Sequence, residues 1–241
     1  MVEIKTNKLT KLYKDIIAVD NINLEINQGE FFSLLGVNGA GKTTALKMLT
    51  CLAKPTNGDA YVGGYSILKR PKKVKQIIGV SPQETAVAMN LSARENLEFI
   101  CGIYGFDKEK TSIKVDEITR LLDLDMILNR KAQNLSGGYQ RRLSIAMALI
   151  CEPKILFLDE PTLGLDVIAR RDLWEMIRSL KGNITIILTT HYLEEAEMLS
   201  DRIGIMKGGK LLTVGTVAEL KAIADAEDFE NAFITISKDG C

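Results

Sequence analysis

Apolar and polar positions change their period three times along the chain. From Val2 to Ile26 they alternate in short blocks, and Ile16-Ile17-Ala18-Val19 and Ile22-Asn23-Leu24-Glu25-Ile26 read as strands. Phe31 to Leu35 reads as a buried strand, with a helix predicted over Thr44 to Leu49. Pro55-Thr56-Asn57-Gly58-Asp59 and Gly63-Gly64 are turns around the short strand Ala60-Tyr61-Val62, and Ile77 to Ser81 gives one more strand. Between Leu91 and Ile150 apolar residues recur at helical intervals. There Ser92 and Glu95 fit a helix cap, Leu97, Ile100, Cys101 and Tyr104 can share one face, and a second helix runs through Val115, Ile118, Leu121 and Leu122. Beyond it, the apolar runs Ile155 to Leu158 and Thr185 to Leu188 flank a helical pattern from Val167 to Leu180, an alternation that predicts a parallel sheet covered on both faces. A hairpin follows at Lys207-Gly208-Gly209-Lys210, then a helix over Val217 to Ala226. Phe233-Ile234-Thr235-Ile236 reads either as a further strand or as a docked tail.

The junction of strand and helix after Leu35 carries the first chemistry. Gly36, Val37, Asn38, Gly39, Ala40, Gly41, Lys42 and Thr43 match the phosphate-loop pattern G-x-x-x-x-G-K-[ST], and Thr44 leads into the helix. Glycines let the backbone approach phosphates and turn N–H groups inward, where the helix N-terminus adds a favourable dipole. Lys42 is placed to reach the β- and γ-phosphates, and the Thr43 hydroxyl to coordinate Mg²⁺. A second signature is the apolar run Ile155 to Leu158 ending in Asp159 and Glu160. Asp159 is expected to hold Mg²⁺, and Glu160 to deprotonate the water that attacks the γ-phosphate. Ser136, Gly137 and Gly138, opening a helix, offer another anion site through a hydroxyl and freed N–H groups.

Together these motifs resemble the ATP-binding cassette (ABC) ATPases, from about Tyr13 to His191 and more loosely beyond. The resemblance implies an α/β fold: a P-loop NTPase core whose parallel sheet is flanked by helices, with an N-terminal antiparallel β region and an inserted helical subdomain. It implies a single domain over 1–241, with the core in 1–83 and 151–216, the helical signature subdomain in 84–150 and a short extension in 217–241. It further implies that Ser136, Gly137, Gly138 and Gln140 meet ATP held by the opposite subunit, so that two chains sandwich two nucleotides. Gln83 matches the glutamine that senses Mg²⁺ and the attacking water, and His191, the single histidine, matches the switch residue at the γ-phosphate. Asp166 matches an inter-subunit loop and also suits a helix cap. Tyr13 matches the aromatic that stacks on adenine. One departure is Tyr139, where Gln is usual. Arg141 and Arg142 read either as surface cations or as cations near the nucleotide.

Composition narrows the rest. The 241 residues carry 31 basic and 31 acidic side chains, so no charge excess points to nucleic acid, and none is expected as a partner. The basic run Lys69-Arg70-Pro71-Lys72-Lys73 reads as a solvated loop or helix start. Cys51, Cys101, Cys151 and Cys241 form no C-x-x-C pair, and the first three read as buried hydrophobes in a reducing compartment. No apolar run approaches the ~20 residues needed to cross a bilayer. The expectation is therefore an ATP-hydrolysing, Mg²⁺-dependent subunit on the inner face of the cell membrane, working as a homodimer or heterodimer with an integral-membrane permease. The phosphate-loop surroundings, Gln83-Glu84, the run Ser136 to Arg142 and the short tail resemble the branch that exports drugs, lipids or other amphiphiles. Two competitors are a soluble ABC protein acting on ribosomes or DNA, which typically carries two cassettes or long coiled-coil insertions, and a metabolic kinase, which does not need the Ser136 signature.

Overall fold

The long first strand β1 (Val2–Tyr13) is followed by β2 (Ile16–Ile22) and β3 (Glu25–Asn27), and all three pair antiparallel around β1. The strand expected over Ile22 to Ile26 is broken because the Thr6 hydroxyl donates to the Ile22 carbonyl and accepts from the Leu24 N–H, which turns the chain from β2 to β3. Next come β4 (Phe31–Leu35), α1 (Lys42–Leu49), β5 (Asn57–Val62), β6 (Tyr65–Ser66), α2 (Pro71–Ile77) and β7 (Ile78–Ser81). The basic run is a helix start, with Pro71 in the first turn of α2, where a missing N–H costs nothing. The computed structural model describes residues 1–239; Cys241 lies outside them.

The helical stretch comprises α3 (Ala93–Ile103), α4 (Lys108–Leu121) and α5 (Gly137–Leu149). Ser92 and Glu95 form the expected reciprocal cap on α3. Leu97 and Cys101 are buried, whereas Tyr104 and Leu121 stand exposed, because the buried stripe of each helix is narrower than its apolar spacing suggests. The chain then forms β8 (Ile155–Asp159), α6 (Val167–Ser179), β9 (Thr185–Thr190), α7 (Leu193–Leu199), β10 (Arg202–Lys207), β11 (Lys210–Gly215), α8 (Val217–Ile223) and α9 (Phe229–Asp239). Phe233 to Ile236 is thus part of a helix and not a strand. Phe229, Ala232 and Ile236 follow helical spacing, and their burial against Ile203 and Ile205 docks the tail.

Two sheets result: an antiparallel one in the order β2-β1-β5-β6 with β3 beside β1, and a six-stranded one in the order β11-β10-β4-β9-β8-β7. In the second, β10, β4, β9, β8 and β7 run parallel, and only β11 is antiparallel. Strand β8 shows why its sequence is apolar throughout. Ile155 and Phe157 face a core shared with α1 and the antiparallel sheet, while Leu156 and Leu158 face the core built by the helical stretch. The carboxyl ends of β8 and β9 carry Asp159, Thr189 and Thr190, and that edge of the sheet holds the site. Away from it, Cys101 is buried but Cys51 and Cys151 are half-buried, and burial pushes all three thiols up, Cys151 to about 11.

Candidate nucleotide site

A cleft of about 700 Å³ opens over the carboxyl end of β4, lined by Asn38 to Thr44, Gln83, Glu160, Leu163, His191 and, from β2, Ile16, Ile17 and Ala18. Two glycines shape the loop. Gly41 has φ 102°, and a Cβ there meets the Ala18 carbonyl; one on Gly36 meets the Met206 carbonyl. Because the chain becomes helical directly after Gly41, α1 starts at Lys42 and not at Thr44, so Lys42 and Thr43 stand in its first turn.

Lys42 is only 5% exposed. Its Nζ donates to the carbonyls of Gly36 (2.7 Å) and Val37 (3.3 Å) and pairs with Glu160 Oε1 at 3.2 Å. The other Glu160 oxygen accepts from His191 Nδ1–H at 2.7 Å, a direction fixed because a carboxylate only accepts. Glu160 takes φ 49°, outside the usual range for a residue with a Cβ, and its N–H is held by the Thr189 carbonyl (3.0 Å) and hydroxyl (3.1 Å). Asp159 Oδ1 accepts from the hydroxyls of Thr43 (3.0 Å) and Thr189 (2.5 Å). Parallel pairing of β8 with β9 and of β9 with β4 brings Asp159, Glu160, His191 and the loop to one edge although the sequence separates them widely.

The remaining sequence-predicted residues lie apart from this cleft. Ser136 caps α5, accepting from the Tyr139 N–H at 3.5 Å; it and Gly137 are exposed and do not line the cleft. The Gln140 amide nitrogen donates inward to the carbonyls of Ala132 and Leu135, which leaves its oxygen alone for a contact with another molecule. Asp166 caps α6 through the Ala169 N–H at 2.9 Å. Tyr13 is half exposed at the end of β1, with Lys11 Nζ 4.9 Å from its ring centroid, and its register partner Ile16 lines the cleft while Tyr13 itself does not.

The family model for ABC transporters matches residues 19–163, which takes in the loop, the Ser136 segment and both acids. The chain belongs to the ABC transporter family. It is 39% identical over 213 residues to the daunorubicin resistance ATP-binding protein DrrA3 of Streptomyces coeruleorubidus, covering 88% of this chain and 67% of that one. It is also 41% identical over 222 residues to the phospholipid-transporting ATPase ABCA3 of Homo sapiens, and 38% identical over 242 residues to the Escherichia coli protein named "Probable multidrug ABC transporter ATP-binding protein YbhF". The matches cover 90% and 98% of this chain but only 13% and 42% of those relatives. A bacterial ABC transporter cassette solved as a dimer superposes with a TM-score of 0.80 at 31% identity, over 88% of this chain and 98% of that one. The cbiO1 subunit from Clostridium perfringens, part of the ABC transporter complex cbiONQ, gives 0.83 at 28%, over 92% of this chain and 91% of that one.

The chain is thus an ATP-binding cassette of the ABC transporter type. Arg141 and Glu195 are buried and do not line the cleft. Arg141 is 6% exposed and donates to the carbonyls of Pro82 and Gln83, both at 2.7 Å, so it is neither a surface cation nor a cleft residue. Glu195 on α7 is fully buried and accepts from Thr162 and Trp174, each at 2.9 Å, which ties α7 to the loop after Glu160 and to α6. Burial pushes the Glu195 carboxyl up, and the hydrogen bonds from Thr190, Trp174 and Thr162 oppose the rise. Among the described residues no helix is long and apolar enough to cross a membrane.

Proposed function

We propose that this cassette binds Mg-ATP in the cleft and hydrolyses it in a two-chain sandwich, each chain supplying Ser136 to the other's nucleotide. The observation that carries this reading is the separation inside one chain: Lys42, Glu160 and His191 meet in the cleft, while Ser136 stands exposed outside it on a helix N-terminus. A second chain brings that hydroxyl and the N–H groups of Gly137 and Gly138 to the γ-phosphate. Asp166, exposed and next in sequence to Leu165, whose side chain lies beside Gly137, is assigned to the contact between chains, and Gln140 to its edge.

Thr43 and Asp159 present hard oxygen ligands 3.0 Å apart, and Gln83 is among the residues lining the cleft, a donor set that suits Mg²⁺ completed by phosphate and water. The ion, when bound, neutralises phosphate charge. Thr43, Asp159 and Gln83 would hold it. The adenine end is assigned to the β2 side of the cleft, with Tyr13 stacking at its lip. Phosphates replace Glu160 as the counter-charge of Lys42, which frees the carboxylate to accept the proton of the attacking water. No covalent intermediate is needed. Lys42, the amides of Gly39 to Thr43, His191 and the partner's Ser136 stabilise the charge that develops on the transferred phosphoryl group.

In the same reading, dimer closure and reopening drive a separate integral-membrane permease, with the cassette, as a homodimer or heterodimer, on the inner face of the cell membrane. The names of the daunorubicin resistance and phospholipid-transporting relatives support export of a drug, lipid or other amphiphile. Two chains per working unit have a direct kinetic consequence. While the monomer dominates, the ATPase rate rises more steeply than linearly with protein concentration, approaching its square. Phosphate release measured across a dilution series tests this, and a strictly proportional rate through the monomer range counts against the shared site.

A further inference from the structure

Arg141 lies on α5 about one and a half turns after Ser136. Its guanidinium is buried, yet among the described residues no carboxylate lies within ion-pair distance of it. Two nitrogens instead hold successive carbonyls of the chain leaving β7, Nη1 that of Pro82 and Nη2 that of Gln83, both at 2.7 Å. Three residues on, and so on the same helical face, the Ser144 hydroxyl meets the Ser81 hydroxyl at 2.9 Å. One face of α5 therefore grips Ser81, Pro82 and Gln83 in turn. Burial pulls the Arg141 pKa below the ordinary guanidinium value, with Asp159 and Glu195 opposing. Burying a cation costs more than burying an apolar side chain, so packing alone does not account for an arginine here.

Gln83 lines the cleft of its own chain, whereas Ser136 at the head of α5 is exposed and does not line it. We propose that Arg141 is a positioning residue that fixes Gln83 relative to α5, so that engagement of Ser136 by one nucleotide places Gln83 at the other. The first half, the hold on Gln83, stands on one chain's residues. The second half, communication between the two nucleotides, rests on the shared-site reading above.

The test is a double-variant cycle on the full chain with Gln83→Ala, Arg141→Met and their combination, reading kcat and nucleotide Kd separately. Each single variant is expected to lower kcat about tenfold, the scale of a misplaced catalytic group. Nucleotide Kd in the Arg141 variants stays within about twofold, since Arg141 meets the cleft only through the Gln83 carbonyl. The combination falls no further than Gln83→Ala alone, because Arg141 acts through Gln83. Arg141→Lys, able to reach one carbonyl but not both in the fork geometry, recovers part of the loss. It also serves in the cycle if Arg141→Met does not fold. A combined loss equal to the product of the single losses, or normal kcat in Arg141→Met, overturns the positioning role. For the second half, the Hill coefficient for ATP exceeds one in the wild type and falls toward one in Arg141→Lys. An unchanged coefficient in Arg141→Lys overturns the link between sites while leaving the shared site intact. A coefficient of one in the wild type overturns both the link and the shared-site reading beneath it.

Discussion

Glu160→Gln turns over ATP at least about a hundredfold more slowly than the wild type, the lower end of what a positioned general base contributes, and still binds ATP. The substitution keeps the shape of a side chain that is 5% exposed and whose backbone is fixed by Thr189. It removes the only group among the described residues of the cleft placed both to take a proton and to pair with Lys42. The second loss makes the binding side of the result distinctive. With an amide in place of the carboxylate, Lys42 is no longer neutralised before nucleotide arrives, so affinity for ATP is unchanged or tighter. A sandwich that forms but cannot reset accumulates, and the dimer fraction with Mg-ATP rises while phosphate release falls. Turnover and sedimentation on one sample read both quantities. Near-normal turnover removes Glu160 from the role of base.

Lys42→Ala has the opposite signature. Loss of a charge-assisted contact in a desolvated phosphate site costs about 1.5–3 kcal/mol, or roughly ten- to a hundredfold in triphosphate affinity, and hydrolysis is abolished. Removing the cation also leaves Glu160 buried with His191 as its remaining side-chain partner, so the nucleotide-free protein melts at a lower temperature. Melting without nucleotide and nucleotide titration at a temperature where both proteins are folded separate the two effects. Unchanged triphosphate affinity contradicts the assignment of Gly36 to Thr43.

What the sequence made legible is what depends on neighbours in the chain. The runs Phe31–Leu35, Ile155–Leu158 and Thr185–Leu188 are continuous apolar blocks because parallel strands are buried on both faces. The loop, the two acids and Ser136 follow from local spacing, and the caps at Ser92 and Asp166 from local hydrogen bonding. At the tail a short window misleads. Phe233 to Ile236 has strand-like composition, and only the wider spacing Phe229, Ala232, Ile236 shows the helix. Arg141 and Glu195 had no local signal. Their partners are carbonyls and hydroxyls 59 and 33 residues away, so whether each charge is solvated or buried is settled only when β7, α5, α6 and α7 are assembled.

The central claim, that each nucleotide is served by two chains, is tested most directly by mixing two inactive proteins. Ser136→Arg blocks the face offered to the opposite nucleotide, and Lys42→Ala empties the loop in its own cleft. Each alone is nearly inactive. After subunit exchange has been demonstrated, the mixture contains heterodimers in which one site combines a wild-type Lys42 from one chain with a wild-type Ser136 from the other, and ATPase activity returns to a substantial fraction of the wild-type rate. The same mixture assembled on the membrane partner gives the same answer where the natural dimer pairs this cassette with a different one. Absence of any recovery in proven heterodimers would contradict the shared site.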